Sequence, residues 1–278
     1  MRDNWRLLIT PAAQGAWNMA VDEAILEDAV QGKVPPTVRL YAWTPPCLSL
    51  GHSQPWEDVD LEALEREGWQ VVRRPTGGRA ILHTDELTYS VIGPATNPHL
   101  SGTVLESYRH LAEALIQALQ LLGVNAQMSP LLSSSGQSHP PICFEVPSSY
   151  EITVGGKKLI GSAQSRRRGG VLQHGSLPLY GDLTRITRAL RFADEAARQE
   201  AAERLRARAT TLEEAAGKRI EWEEAAQAFV RAFEDVLNIH LSLAELTPSE
   251  SQLAEALLRQ KHTHPSWLQR LSPSPTDS

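Results

Sequence analysis

The chain has 278 residues, with 27 Lys plus Arg against 33 Asp plus Glu, a formal net charge of −6, and 41% hydrophobic and 22% charged residues. These values fit one large domain, or one domain with a small appendage, and exclude a wholly disordered chain. The mild acidity gives no support to general nucleic-acid binding, which needs a dense basic surface.

The first apolar run, Leu7 to Ile9 before Pro11, is too short for a signal-peptide core, and the charge-free stretch 40–56 is broken by Pro45, Pro46 and Pro55. No membrane span is expected, and the sequence reads as cytoplasmic with reduced thiols. Residues 6–10 predict a first strand and 14–30 a helix, with Trp17, Val21, Ile25 and Leu26 on one stripe. Residues 38–43 and 48–50 predict short strands separated by the Pro45–Pro46 turn. Asp60 caps a helix containing Leu61 and Leu64 that Gly68 ends, and 69–72 predicts the next strand. Arg73 to Arg79 is a glycine-containing turn, followed by strands at 80–82 and 87–92 and a loop at 94–102. The clearest helix comes next: Leu105, Tyr108, Leu111, Leu115, Ala118 and Leu122 share a face, and Gly123 stops it.

Residues 131–141, rich in Ser, Gly and Pro, predict an exposed or mobile loop, with Cys143 soon after it. Residues 150–154 and 158–160 around Gly155–Gly156 predict a hairpin, and 171–174 extends the same sheet. Beyond residue 182 the character changes: 190–208 is rich in Ala, Glu and Arg and favours helix, Thr211 and Glu214 have capping-box spacing, and 221–237 is amphipathic. Thr247-Pro248-Ser249-Glu250 opens a further helix. Strands dominate the first two thirds and helices the last. The fold class is therefore α+β, with a catalytic core over 1–185, a helical C-terminal portion over 186–271 packed on it, and a frayed tail over 272–278.

Chemistry concentrates at three places. Thr76-Gly77-Gly78-Arg79 follows a strand, and its amides can hold an acyl carbonyl or a phosphate oxygen, although a plain turn explains the same residues. It is neither a dinucleotide fingerprint nor a P-loop. His83, just beyond, reads equally as a core histidine, a hydrogen-bonding sheet residue or a pocket wall. The two cysteines cannot build a disulfide framework and have no metal-ligand spacing. Cys47, in an apolar strand, reads as packing, whereas Cys143 can sit at a pocket mouth. Lys158 precedes the small, apolar Leu159-Ile160-Gly161-Ser162-Ala163, so it can enter a cleft; an exposed hairpin lysine is the alternative. A thiol with a nearby lysine makes a nucleophile and general acid/base pair. Arg166, Arg167 and Arg168 form either a docking site for an acidic partner or a solvated charge run.

Arg73-Arg74-Pro75-Thr76-Gly77-Gly78-Arg79-Ala80-Ile81-Leu82-His83 and Asp85-Glu86-Leu87-Thr88-Tyr89-Ser90 together resemble the biotinyl/lipoyl protein ligase family. Cys143-Phe144, Tyr150-Glu151-Ile152, Gly156 to Gln164 and Gln173-His174-Gly175-Ser176-Leu177 continue the resemblance, which spans about residues 5–185. It is strongest to the family's octanoyltransferases that carry a helical C-terminal portion. The resemblance implies a central mixed β-sheet flanked by helices, related to biotin protein ligase and class II synthetase cores. It also implies transfer of octanoyl from acyl carrier protein to a lipoyl-domain lysine, with glycine-cleavage H protein as the expected acceptor.

Within it, Cys143 maps to the reactive cysteine, Lys158 to the family lysine, and Arg74, Gly77, Gly78 and His83 to the acyl pocket. Gly161, Ser162 and Ala163 are the expected substrate-side residues after the lysine. No cofactor or metal is expected, because octanoyl-phosphopantetheine arrives already activated on the carrier. The rivals are an ATP-dependent lipoate–protein ligase, where the position resembling Cys143 is typically Asn or Asp, a lipoyl-domain amidotransferase, and a non-catalytic lipoyl-domain binding protein.

Overall fold

The computed structural model describes residues 2–128, 142 and 151–270. From the N-terminus the elements are β1 (Asp3–Ile9), α1 (Gly15–Val30), β2 (Thr37–Tyr41), β3 (Cys47–Leu50), α2 (Leu61–Glu67), β4 (Gln70–Arg73), β5 (Ile81–His83), β6 (Glu86–Pro94), α3 (Val104–Leu121) and β7 (Gln127–Met128). They continue with β8 (Ile152–Val154), β9 (Lys157–Arg167), β10 (Gly170–Pro178), α4 (Glu195–Arg208), α5 (Leu212–Ala216), α6 (Trp222–Leu237), β11 (Ile239–Leu243), α7 (Pro248–Leu257) and α8 (Pro265–Leu268). The loop expected at 131–141 and the tail at 272–278 lie outside the described residues.

Local chemistry sets the helix ends. Asp60 Oδ1 accepts from the Ala63 amide at 3.0 Å, and Gly68 closes α2 in the left-handed region at φ 68°. Thr103 with Glu106 and Thr247 with Glu250 form reciprocal capping boxes on α3 and α7. Two expectations shift. The helix expected from residue 190 begins at Glu195, because Asp194 accepts from Ala197 N at 2.8 Å and Leu190 bridges Val59 instead. The Thr211–Glu214 box is half made: Thr211 Oγ1 accepts from Glu214 N, but the Glu214 carboxylate accepts from Thr210 Oγ1.

The large sheet has the order β11-β1-β2-β6-β10-β9-β8-β7. Its β1 runs parallel to both β11 and β2, and the remaining pairs are antiparallel, so the sheet is mixed as expected. The sequence reading contained no strand at 239–243. Ile239 and Leu241 alternate inward there, and β11 carries the C-terminal portion into the central sheet. A small sheet, β4-β3-β5, stands apart.

Strand alternation makes the two faces of the large sheet unlike. On one, Trp5, Leu7, Val38, Leu40, Tyr89 and Val91 join an apolar core with α3 and α6. On the other, the intervening positions include Arg6, Arg39, Glu86, Ser90 and His174, all buried. Buried charge needs partners, and this face has them. Arg6 Nη2 donates to Glu250 Oε1 at 2.5 Å and Nη1 to Oε2 at 3.1 Å, fastening α7 against β1. Met19, Tyr41, Trp43, Cys47 and Val72 form an apolar joint between α1 and the small sheet. Among the described residues no helix is long and apolar enough to cross a membrane.

Candidate active site

The polar side of the large sheet, α1, the small sheet and the loop after β4 enclose a cavity of about 370 Å³. Arg74, Gly77, Gly78 and His83 line it from one side, and Gly161, Ser162 and Ala163 from β9 line it from the other. The structure thus gathers in one cavity residues that the sequence holds some eighty positions apart. Met19, Trp43 and Ile81 supply apolar wall. Three small residues in a row make the β9 backbone itself a wall. Gly175, paired with Ser162, is fixed by space: a Cβ there would stand 2.5 Å from Tyr89 Cε1 and 2.7 Å from the Gly161 carbonyl.

Arg74 shapes the glycine loop. It lies buried and donates to the carbonyls of Ser49 at 2.9 Å, Gly77 at 2.8 Å and Arg79 at 2.7 Å. The loop's carbonyls are thereby spent on a cation, while no hydrogen bond among the described residues uses the Gly77 or Gly78 amide. Those amides are candidate donors to a substrate oxygen. Gly78 sits at φ 91°, where a side chain is strained, and a Cβ on Gly51 would run into the Gly78 carbonyl.

Two buried polar chains back the cavity. Ser49 Oγ and His83 Nε2 are 2.7 Å apart, and His83 Nδ1 and Glu86 Oε1 are also 2.7 Å apart. With Nδ1–H donating to the carboxylate, Nε2 accepts from Ser49 Oγ, which in turn accepts from Arg74 Nη1 at 3.1 Å. Ser176 Oγ donates to Glu86 Oε2 at 2.5 Å, Thr88 also donates to that carboxylate, and Trp43 stacks on the His83 ring at 3.9 Å. Burial alone would raise the Glu86 pKa, but His83 and these donors outweigh it and hold it below the usual range.

In the second chain Arg39 Nη1 donates to Asp22 Oδ1 at 2.7 Å, Tyr41 OH donates to Oδ2 at 3.0 Å, and Ser90 Oγ donates at 3.1 Å. His174 Nδ1 stands 3.7 Å from Asp22 Oδ2, an electrostatic contact too long for a hydrogen bond, and its Nε2 is 2.6 Å from Thr76 Oγ1. Burial raises the Asp22 pKa less than Arg39 and His174 lower it; burial also dominates His174 and pulls its pKa down.

Lys158 is buried, and its Nζ donates to Glu151 Oε1 at 2.6 Å. It does not line the cavity wall. A β-bulge orients it: Lys158 pairs with Thr153 and Ile160 with Ile152, leaving Leu159 extra. Leu159 and Ile160 both pack into the α3–α6 core. The bulge therefore puts Lys158 on the same sheet face as Gly161 and Ala163, which plain alternation would not do.

Cys143 lies outside the described residues. Its predecessor Ile142 is buried and bridges Ala80, one residue beyond the glycine loop. Ile142 shares a core cluster with Ala209, and Ala209 bridges Lys158. Cys47 is fully buried, and desolvation pushes its thiol pKa far up, as packing requires.

The three arginines separate. Arg166 turns inward, donating to the Leu100 carbonyl at 2.7 Å and to Ser107 Oγ at 2.8 Å, and so ties β9 to α3. Arg167 and Arg168 are exposed. No group of three His, Cys, Asp or Glu among the described residues is placed to hold a metal.

Glu86, Ser49, Asp22 and Glu151 were not singled out as site residues from the sequence, and Thr76 was read only as part of the glycine loop. For Ser49 the available signal was a hydroxyl inside the apolar run Cys47-Leu48-Ser49-Leu50.

The Lipoyl protein ligase A/B catalytic domain model matches residues 14–234. Octanoyltransferase LipM of Brevibacillus brevis is 40% identical over 274 residues, covering 95% of this chain and 98% of that protein. Octanoyltransferase LipM of Kyrpidia tusciae is 42% identical over 259 residues, covering 91% and 94%. Among solved structures, the bipartite lipoate protein ligase of Thermoplasma acidophilum, described with its E2 lipoyl domain, superposes with a TM-score of 0.80 at 25% identity over 99% of both chains. A lipoate-protein ligase A bound with ATP superposes at 0.76, also with 25% identity, over 97% of this chain and 99% of that one.

Proposed function

The chain belongs to the lipoyl protein ligase A/B catalytic domain family, and we propose that it moves octanoyl from acyl carrier protein to a lipoyl-domain lysine, that of glycine-cleavage H protein in the first instance. The observation that carries this reading is the juxtaposition on one sheet face of an acyl-sized cavity walled by Gly161 and Ala163 with the buried Lys158–Glu151 pair. The sequence neighbour of Cys143, Ile142, belongs to the cluster that contains the Lys158-bridging Ala209.

The Cys143 thiolate attacks the thioester carbonyl of octanoyl–acyl carrier protein. Lys158, as an ammonium, favours the thiolate, and the Gly77 and Gly78 amides support the oxyanion. The carbonyl–sulfur bond to the pantetheine arm breaks, that thiol leaves with the proton of the Lys158 ammonium, and octanoyl remains on Cys143 with Lys158 neutral. The ε-amine of the acceptor then attacks. The Cys143–acyl bond breaks, the amide forms, and the amine proton passes to neutral Lys158. The thioester enters activated, so the steps consume no ATP. Arg74, His83 and Ser162 shape the acyl slot; His83 acts through the orientation that Glu86 and Ser49 give its ring.

Similarity to a ligase bound with ATP keeps a second reading in view, an acyl-adenylate made from free acid. An adenylate needs no enzyme thiol. Intact mass decides. Incubation with octanoyl–acyl carrier protein and no acceptor is expected to add one octanoyl to wild type and none to Cys143→Ala. Activity that requires ATP and free octanoate, with no adduct on wild type, overturns the transferase.

A further inference from the structure

A cluster of cations sits on the outer side of the glycine loop. His52 follows Gly51, the residue in close approach to Gly78, and its amide donates to the Thr76 carbonyl at 2.8 Å. Arg270 Nη1 donates to His52 Nε2 at 2.5 Å. Lys261 Nζ lies 4.1 Å and Arg270 Cζ 5.5 Å from the centre of the Trp267 ring, so one indole gathers both cations. Lys261 in turn lines the same groove beside α1 as Arg167. Burial first, then Arg270, Arg167, Arg73 and Lys261, lower the His52 pKa to about 4. At neutral pH this imidazole is uncharged and free to accept from Arg270.

The members differ in how far they are neutralised. Lys261 donates to both Glu23 oxygens, at 2.5 and 2.7 Å. Arg73 spends its guanidinium on the carbonyls of Gly51 at 2.8 Å, Gln54 at 2.6 Å and Leu268 at 2.8 Å. Arg167 and Arg270 have no carboxylate partner among the described residues. Two guanidinium groups with no carboxylate partner among the described residues, both within electrostatic reach of His52 in a chain of net charge −6, concentrate positive potential on the outer side of the glycine loop.

We propose that Arg167 and Arg270, with Lys261 behind them, form a phosphate-binding site on the outer side of the glycine loop, and that its ligand is the phosphodiester of the pantetheine arm that delivers the acyl group. The planar guanidinium fork matches phosphate oxygens, and fixing the phosphate outside the glycine loop leaves the arm to reach inward past Gly78. The identity of the ligand rests on the carrier-thioester reading above; the site rests on the cations.

Calorimetric titration of wild type and of the Arg167→Ala/Arg270→Ala double variant with 4′-phosphopantetheine and with pantetheine tests it. Wild type is expected to bind the phosphorylated compound about tenfold more tightly, and the double variant to bind both alike. Equal affinities in wild type overturn the site, as does a difference that survives in the double variant. Arg167→Glu, at an exposed strand end, repeats the test where folding is not at issue. With octanoyl-phosphopantetheine and octanoyl-pantetheine as donors, the ratio of KM values is expected to collapse in the double variant. Transfer from neither thioester, together with ATP-dependent use of octanoate, would defeat the carrier reading without touching the binding difference. ATP binding that exceeds phosphopantetheine binding and is lost in the double variant would reassign the phosphate to a nucleotide and overturn the pantetheine assignment.

Discussion

Glu86 keeps a charge in the middle of the protein because His83, Ser176 and Thr88 all donate to it. That arrangement, with Asp22 and His174, makes stability depend on pH with a definite sign. His174 is neutral in the fold, its pKa held below the ordinary 6.5 by burial. As pH falls below about 6.5 the unfolded chain takes a proton the native imidazole refuses, and stability drops by up to about 1.4 kcal/mol per pH unit. Asp22 and Glu86, both depressed, add their own loss as pH falls through the ordinary carboxylate range of about 4 towards their lower folded values. Urea denaturation across this range is expected to show both phases, and His174→Gln to remove the upper one while shrinking the share of the lower one that Asp22 contributes.

At this scale the sequence points to residues whose type announces chemistry, such as Cys143, Lys158 and His83. It conceals Glu86 and Ser49, because a polar residue in a strand becomes a site residue only through the register that sets what it faces, and Asp22, whose role depends on the sheet that α1 packs against. Lys158 shows the same limit: its direction follows from the bulge at Leu159, which depends on pairing with β8.

Elements differ in how much of themselves they announce. The caps of α2 and α7 were readable because capping chemistry is local. The strand β11 was not, since it is short and its reason to form is the β1 edge, more than two hundred residues away in sequence. The glycine loop was legible as a turn, but not the reason for each glycine. Gly77 has no positive φ, and nothing lies within 4 Å of an added Cβ. Gly77→Ala is therefore expected to leave stability within about 0.5 kcal/mol of wild type, yet to lower kcat/KM about tenfold by narrowing the cavity wall. Gly78→Ala meets φ 91° and Arg74 Nη2 at 2.9 Å. It is expected to cost about 1–3 kcal/mol of stability as well as activity. Melting curves beside steady-state rates separate the two cases. The donor chain gives a third measure: each methylene removed is worth about 0.8 kcal/mol of burial, so hexanoyl is expected to fall roughly tenfold behind octanoyl in kcat/KM.

Across the molecule, buried ion pairs join parts distant in sequence. Arg6 and Glu250 lie 244 positions apart, and together they attach α7 to β1. Glu250→Ala leaves a buried guanidinium unpartnered and is expected to cost about 3–5 kcal/mol in urea denaturation. Glu250→Gln, which can still accept a hydrogen bond, is expected to cost less. The division into a strand-rich front and a helical back was visible in composition. That the back returns to complete the front's sheet was not, because composition does not record pairing.

Arg73 makes the same point in another way. Its guanidinium donates to the Trp267 and Leu268 carbonyls across separations of 194 and 195 residues, and the Trp267 indole donates back to the Arg73 carbonyl at 2.9 Å. Synthesis runs from the N-terminus, so the ribosome makes the glycine loop long before it makes the clasp. An emerging chain can assemble both walls of the slot yet must wait for residues near 268 to secure the loop between them. The order of translation thus imposes an order on competence, and a chain cleaved ahead of Trp267 would keep its walls and lose its fastening.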